Sequence, residues 1–197
     1  MGTLLPSERA DALPVCILNP GVFILVTSGR TAMPCKLRDY SPADFERLYE
    51  IDQACYAQGI AYSRLMLRWY LKQRGSFCVV AEADAGPESG MVGSIIAGFI
   101  IAQGDGDAGY IVTIDVLEGQ RRGGVGTALL EEAERRLAAM RVRYIELQTA
   151  TNNEAGIAFW QRHGYRTSGV IRGYYLGRID AYQMSKEINQ SGRPAIA

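Results

Sequence analysis

The chain has 197 residues, of which 48% are hydrophobic, and its 21 Lys and Arg balance its 21 Asp and Glu. This length and apolar content suffice for one domain with a core, and the balanced charge predicts no affinity for nucleic acid or for an anionic membrane. The four cysteines are about twenty residues apart, and the chain has one histidine. We therefore expect no metal site and no disulfide framework, and reduced thiols indicate a cytoplasmic protein.

The first 32 residues differ from the rest of the chain. Their apolar run, residues 15–26, is interrupted by Asn19-Pro20-Gly21, and the segment before it carries no clean positive charge. A signal peptide or membrane span would be poorly formed here. We predict a weakly structured extension over residues 1–32, one domain over residues 33–189 and a short tail over residues 190–197.

Two helices are predicted early in the domain, after a short strand at residues 36–38. Ser41-Pro42-Ala43-Asp44 combines an N-cap, a proline in the first turn and an acidic residue, so a helix should follow to about Ala57. Ser63 should cap a second helix over residues 64–74, which Gly75 ends.

The remaining elements alternate between strand and helix patterns. Strands are predicted at residues 77–83, 91–103, 111–117, 143–149, 164–170 and 179–188, and helices at 127–140 and 153–162. The resulting order, βααβββαβαββ, predicts a single α/β domain with a mixed, mostly antiparallel central sheet flanked by helices.

The loop at residues 120–126 has the features of a phosphate site. It contains three glycines in four residues, which let a ligand approach the backbone closely, and it leads directly into a helix. The first turn of a helix has N–H groups without internal partners, and it forms the positive end of the helix dipole. With Arg121 and Arg122 beside it, the loop should bind phosphate.

Spacing separates three families of phosphate-binding loop. A P-loop needs a Gly-Lys pair, which the chain lacks. A dinucleotide-binding Gly-x-Gly-x-x-Gly would start at Gly124, but Leu129 occupies its third glycine position; Glu146 lies about where the ribose-binding acid belongs, so this alternative stays open. Arg121, Gly124 and Gly126 match a third pattern, Gln/Arg-x-x-Gly-x-Gly/Ala, which resembles the pyrophosphate motif of the GNAT N-acetyltransferases.

Two further segments resemble the same family. Residues 147–165 resemble its second signature, a strand followed by a short helix and a Gly-aromatic pair, at Asn153, Ala158, Trp160, Gly164 and Tyr165. Residues 172–175 and 180–184 resemble the tyrosine pair and the Asp-Ala-x-x-Met element of enzymes that acetylate protein N-termini. The closest likeness is to the ribosomal-protein alanine N-acetyltransferases, and it covers residues 36–188.

The resemblance implies that the chain binds acetyl-CoA. It assigns this role to the backbone of the central strand, to the loop, and to two positions of the second signature: Ile114, Asp115, Val116, Arg121, Arg122, Gly123, Gly124, Val125, Gly126, Thr127, Asn153 and Trp160. The Asp115 side chain is a candidate base or a solvated or structural carboxylate. The two early helices would cover the acceptor groove, where Tyr56, Ile60, Tyr62 and Trp69 would contact the acceptor or serve as core residues.

Both expected catalytic side chains differ from those of the relatives. Gln148, which cannot accept a proton at neutral pH, stands where they have a glutamate that acts as the catalytic base. Trp160 stands where they have a tyrosine that acts as the catalytic acid. Our catalytic candidates are therefore Glu146, which would act through an ordered water or be a solvent-facing strand residue, and Tyr174 and Tyr175, which would be donors or only shape the acceptor pocket.

The chemistry favours an α-amine as the acceptor. At pH 7 roughly one α-amine in seven is neutral, compared with about one lysine in 2,500, so a site without a strong base suits an α-amine better. We expect an acetyl-CoA-dependent transferase that acts on a protein or peptide N-terminus. A small-molecule amine acceptor and an acyl-CoA-binding module without catalysis are the alternatives.

Overall fold

The computed structural model describes residues 35–57, 59–85 and 93–188, together with the backbone of residues 27–28 and 30–31. Those four positions form two short strands, Thr27–Ser28 and Arg30–Thr31, that pair with each other outside the main sheet. The rest of the predicted extension and the tail from residue 190 lie outside the described residues.

A seven-stranded sheet forms the centre of the described part of the chain. Its strands are β1 Cys35–Asp39, β2 Ser76–Asp84, β3 Ser94–Asp105, β4 Ala108–Val116, β5 Tyr144–Ala150, β6 Arg166–Tyr175 and β7 Ile179–Glu187. Their spatial order is β1-β2-β3-β4-β5-β7-β6, and every neighbouring pair is antiparallel except β4 and β5. The predicted mixed, mostly antiparallel sheet is confirmed.

Four α-helices connect these strands: α1 Phe45–Cys55, α2 Arg64–Leu71, α3 Val125–Ala139 and α4 Glu154–Arg162. The predicted order of elements is confirmed. The Ser63 hydroxyl accepts a hydrogen bond from the Met66 N–H at the start of α2, as an N-cap does. The prediction for β6 was too short, because this strand continues beyond residue 170 by pairing with β7 as far as Tyr175 and Ile179.

The helices cover the two faces of the sheet and create two cores. On one face, α3 packs through Leu129 and Leu137, and α4 through Trp160, into one core with Ile100 and Ile145 of the sheet. On the other face, α1 and α2 pack against β2 and β3. These four elements bury the following side chains together: Leu48, Ile51, Leu67, Val80, Phe99 and Ile101. Each fully buried aliphatic or aromatic side chain contributes about 1.5–3 kcal/mol, so the sheet is held firmly from both sides.

The parallel strands β4 and β5 separate soon after they meet. They pair only at Ala108–Tyr110 with Tyr144–Glu146 along their described lengths. Strand β4 also bulges, because Ile101 of β3 faces Thr113 while the next residue of β3 faces Ile111, which leaves Val112 as an extra residue. The separation opens a cleft between the carboxyl ends of the two strands.

Close packing at Gly109, where α3 crosses β4, provides a test of the fold. A Cβ at this position would lie 2.9 Å from Val142 Cγ1 and 3.1 Å from Leu137 Cδ1. Gly109→Ala should therefore lower the free energy of unfolding, measured in urea, by about 1–3 kcal/mol through overpacking. Gly119→Ala is the matched control, since a Cβ there would meet nothing within 4 Å. Equal urea midpoints for the two variants would contradict this packing.

Candidate functional site

The edge of β4 that faces the cleft presents backbone groups. The Asp115 carbonyl lies against Gly98 of β3, whereas the Val116 carbonyl turns away from β3 and accepts a hydrogen bond from Arg121 Nε at 2.9 Å. Because backbone groups alternate along a strand, the N–H and C=O of Ile114 face the cleft as those of Val116 do. Of the three predicted backbone positions, Ile114 and Val116 thus face the cleft, and Asp115 turns its backbone towards β3.

The glycine-rich loop closes one mouth of this cleft. Gly124 is the N-cap of α3 and has a φ of 87°, a left-handed conformation that favours glycine. The first hydrogen bond of the helix runs from the Ala128 N–H to the Gly124 carbonyl, so the N–H groups of residues 125–127 precede the helical ladder. These are the donors that an anion at a helix N-terminus uses.

The two arginines of the loop take different positions. Arg121 reaches inward, because its Nε donates to the Val116 carbonyl and its guanidinium lies 3.7 Å from Cys55 Sγ of α1. Arg122 is exposed and has a φ of 63°. Arg121 thus joins the loop to β4 and α1, while Arg122 leaves its charge in solvent beside the loop.

The far side of the loop packs against α4 through Thr127 and His163. His163 Nδ1 lies 2.8 Å from the Phe159 carbonyl, which can only accept, so this nitrogen carries the proton. In the neutral ring Nε2 then accepts a hydrogen bond from the Thr127 hydroxyl at 3.2 Å. His163 is the C-cap of α4, and its ring nitrogens join α4 to Thr127.

Two residues of the second signature serve the fold locally. The Asn153 side chain accepts from the Gly156 N–H at 3.0 Å and caps α4. Trp160 is only 6% exposed and stacks edge-to-face against Phe159 and Tyr165 with ring centroids 5.0 and 5.3 Å away. Its indole therefore belongs mainly to the core under the cleft.

Tyrosines converge on Gln148 at the other mouth of the cleft. The Tyr110 hydroxyl donates to Gln148 Oε1, and the Tyr174 hydroxyl approaches the same oxygen at 3.4 Å. The Tyr175 hydroxyl donates to the Gln148 carbonyl at 3.4 Å, and that of Tyr62 donates to the Val112 carbonyl at 3.2 Å. Phenols from β4, β6 and the α1–α2 connection thus surround the point where β4 and β5 part.

These tyrosines are hydrogen-bond donors at neutral pH. Burial raises the pKa of the Tyr62 and Tyr110 hydroxyls above the ordinary value of tyrosine, and neighbouring tyrosines raise it further. Burial likewise raises the pKa of Tyr175 to about 12. The mouth of the cleft that these phenols line is therefore polar but uncharged there.

Glu146 lies next to this cluster on β5. Burial alternates along β5, with Ile145 and Leu147 in the core on the α3 face, which confirms that Tyr144, Glu146 and Gln148 share the opposite face. Glu146 is partly buried and stands opposite Tyr110 at the last paired position of β4 and β5. It thus lies at the closed end of the cleft, whereas Gln148 lies where the cleft opens.

The structure adds residues that the sequence reasoning missed. Tyr110 stands at the head of the central strand, and Thr113 donates to Asp115 Oδ1 at 2.9 Å. Asp115 is 1% exposed, so it is not a solvated carboxylate, and burial raises its pKa to about 7. The i, i+2 spacing of Thr113 and Asp115 on one strand was the available signal for this pair.

Several further findings concern other kinds of site. No group of three or more His, Cys, Asp or Glu side chains that could hold a metal ion occurs among the described residues. Cys55 and Cys78 are free thiols. Within the same residues, no helix combines the length and the apolar character needed to cross a membrane. A dinucleotide-binding fold requires a largely parallel sheet, and this sheet has one parallel pair.

Comparison with known proteins agrees with this geometry. The family model described as "Acetyltransferase (GNAT) family" matches residues 45–165. An uncharacterised N-acetyltransferase of Methanocaldococcus jannaschii is 26% identical over 161 residues, 81% of this chain and 96% of that protein. An N-alpha-acetyltransferase of Sulfurisphaera tokodaii is 36% identical over 81 residues, 39% of this chain and 47% of that protein.

A solved structure shares the fold. The ribosomal-protein-S18-alanine N-acetyltransferase of Escherichia coli aligns with a TM-score of 0.67 at 23% identity, covering 83% of this chain and 99% of that chain. The family match spans more than half of the present chain and includes the loop, the cleft strands and α4. The chain therefore belongs to the acetyltransferase (GNAT) family and is an N-acetyltransferase.

Proposed function

We propose that the enzyme transfers an acetyl group from acetyl-CoA to the N-terminal α-amine of a protein or peptide. The observation that carries this proposal is the cleft between β4 and β5, which has an anion-binding loop at one mouth and a ring of phenols at the other. The acetyl donor would enter from the loop side and the amine from the phenol side. The amine would attack the thioester directly.

The donor side has the groups that a pyrophosphate and an amide-containing arm require. The N–H groups of residues 125–127 and the cations of Arg121 and Arg122 suit the phosphates. The cleft-facing N–H and C=O groups of Ile114 and the N–H of Val116 would pair with the amides of the pantetheine arm, as a neighbouring strand would. Gly123 and Gly126 give the phosphates room to approach the backbone, and Thr127, Asn153 and Trp160 support the loop from α3 and α4.

The acceptor side favours an α-amine over a lysine. Its phenols can accept the N–H bonds of a neutral amine, and a site without a strong base needs an amine that is already partly neutral at pH 7. Tyr174 and Tyr175 are proposed to position the amine and to donate to the reacting groups, and their rings contact edge-to-face at 4.9 Å. The N-alpha-acetyltransferase among the relatives supports the same acceptor class.

A peptide panel tests the acceptor. With acetyl-CoA and purified enzyme, we expect acetylation of peptides with free N-termini, located by mass spectrometry, and little reaction with N-terminally blocked peptides that contain lysine. Reaction with small amines alone would replace the proposed acceptor by a small molecule. Binding of acetyl-CoA without turnover of any amine would indicate a binding module, which the uncharged Gln148 and the buried Trp160 make a real alternative.

Substitution at Gly124 tests the donor site. Gly124→Glu places a side chain at a φ of 87° and a negative charge among the phosphate-binding N–H groups, so we expect a loss of CoA affinity of at least about 100-fold by calorimetry. Gly169→Glu on β6 is the matched control, because it makes the same charge change at a position where a Cβ has only ordinary contact, 3.7 Å from Gln183 Oε1. Unchanged affinity in Gly124→Glu would refute the assignment of the loop.

Glu146→Gln tests whether Glu146 receives the amine proton through a water. If it does, turnover should fall more at low pH than at high pH, because at low pH the ammonium form must lose a proton before the amine can attack, whereas at high pH the amine arrives neutral. The pH–rate profile of the variant is compared with that of the parent enzyme at saturating substrates. Superimposable pH–rate profiles would remove Glu146 from this role and leave the buried carboxylate of Asp115 as the candidate.

A further inference from the structure

Two carboxyl groups lie buried beneath the acceptor side of the cleft. Asp52 of α1 is 0% exposed and Asp115 of β4 is 1% exposed. Asp52 Oδ2 accepts from the Tyr62 N–H and from Gln53 Nε2, both at 2.9 Å, and Asp115 Oδ1 accepts from Thr113. The other oxygen of each carboxyl group, Asp52 Oδ1 and Asp115 Oδ2, is buried and has no hydrogen-bond partner.

Such unpaired oxygens call for an explanation. A buried polar atom without a partner costs about 1–3 kcal/mol, and native structures hold few of them. The two carboxyl groups also interact, because the charge of Asp52 raises the pKa of Asp115. Buried acid groups with perturbed pKa values cluster at sites that transfer protons.

A chain of hydroxyl groups leads from Asp115 towards the cleft. Thr113 Oγ1 donates to Asp115 Oδ1 at 2.9 Å and lies 3.2 Å from the Tyr56 hydroxyl. Since the single Thr113 proton is given to Asp115, the Tyr56 hydroxyl is the donor of the second bond. Both bonds thus point the same way, from Tyr56 to Asp115.

Tyr56 connects this chain with the acceptor side. It follows α1 as its C-cap and is partly exposed. Its hydroxyl influences the pKa of Tyr62, as do those of Tyr110 and Tyr174, so these phenols lie near Tyr62. A route from a bound amine to Asp115 would enter this chain at the Tyr56 oxygen, and burial raises the pKa of that phenol well above the ordinary value of tyrosine.

We propose that Asp115 is the final acceptor of the amine proton, which reaches it through Tyr56 and Thr113. This inference rests on acetyl transfer to an amine. As the nitrogen bonds to the acetyl carbon, its proton passes to the Tyr56 oxygen, the phenol proton passes to Thr113, and the threonine proton passes to the Asp115 carboxylate. Each hydroxyl gains one proton and loses one. The C–S bond breaks with its electron pair on the sulfur, and the Asp115 proton leaves by the same path to neutralise that thiolate or to reach solvent.

The surroundings of Asp115 suit this role. Burial is the largest cause of the raised pKa of Asp115, and the charge of Asp52 is the second. The resulting pKa of about 7 means that both protonation states of Asp115 are populated near neutral pH. Arg121 from the loop and the hydroxyls of Thr113 and Tyr56 oppose the rise. Cys55 of α1 and Cys78 of β2 also face this carboxyl group. Asp52 is thus a positioning residue that adds to the rise in the pKa of Asp115.

The sign of the pH dependence follows from the direction of transfer. Asp115 accepts a proton only as the carboxylate, so kcat should rise as the pH rises through its pKa and level off above it. Removal of the negative charge of Asp52 should lower that pKa and move the rising limb to lower pH. A purely structural role for the pair predicts no such displacement.

The test compares kcat against pH in matched variants, with saturating acetyl-CoA and amine. We expect Asp115→Asn and Tyr56→Phe to lower kcat by about 100-fold and to abolish the rising limb. Asp52→Asn should keep kcat within a few-fold and shift the limb down by about one pH unit. Thr113→Ser should retain the parent profile, whereas Thr113→Val should lose the limb.

Two controls keep the result interpretable. Near-ultraviolet circular dichroism and CoA affinity establish that each variant is folded, and amines of different pKa separate titration of the enzyme from titration of the substrate. Infrared difference spectra between pH 6 and pH 8 should contain a carbonyl band of protonated Asp115, absent in Asp115→Asn and displaced to lower pH in Asp52→Asn. The proposal is overturned if a folded Asp115→Asn enzyme keeps the kcat and the rising limb of the parent pH profile. It is also overturned if the rising limb of the Asp52→Asn enzyme does not move to lower pH.

The same variants are measured with the best peptide and with the best small amine. Turnover of small amines alone contradicts the proposed acceptor class. The route of the proton is then still tested, by the profiles of kcat against pH that the variants show with small amines. Absence of turnover with every amine, despite intact CoA binding, overturns both proposals.

Discussion

The separation of β4 from β5 is the constraint on which the rest of the site depends. Two parallel strands that stop pairing after Tyr110 and Glu146 leave backbone donors and acceptors at the edge of β4 without strand partners. Arg121 and Cys55 already satisfy the Val116 carbonyl, which ties the loop and α1 to the end of the open strand. A ligand arm with amide groups can satisfy the other groups, so the break in the sheet both creates the cleft and selects what fits into it.

The fold can carry this polar site because its two cores are independent of it. The α3 side holds the loop through an uninterrupted apolar layer, while the α1 side contains apolar residues next to the sheet and polar residues towards the cleft. On that second side the structure buries Asp52, Thr113 and Asp115. The unpaired carboxyl oxygens reduce stability, and the apolar layers on both faces of the sheet offset this loss.

The two positions where the resemblance leads us to expect catalytic side chains hold no proton acceptor. Gln148 is an acceptor for the phenols of Tyr110 and Tyr174 and has no proton to exchange. Trp160 has joined the core against Tyr165. The groups able to take up a proton lie instead on the α1 side of β4, at Asp52 and Asp115, where burial raises both pKa values. The proposed route of the proton thus runs along β4.

The sequence by itself determined the order of the elements, the glycine-rich loop and the helix caps, because these signals are local: Ser63, Gly124 and Asn153 act on residues within a few positions. It also supplied the alternation that puts Glu146 and Gln148 on one face of β5. Only the tertiary structure decided how far β6 extends, that β4 and β5 part after three pairs, and that Asp52 lies near Asp115. Those features depend on pairing and packing between segments distant in the chain, and no short-range periodicity encodes which residues such packing brings together.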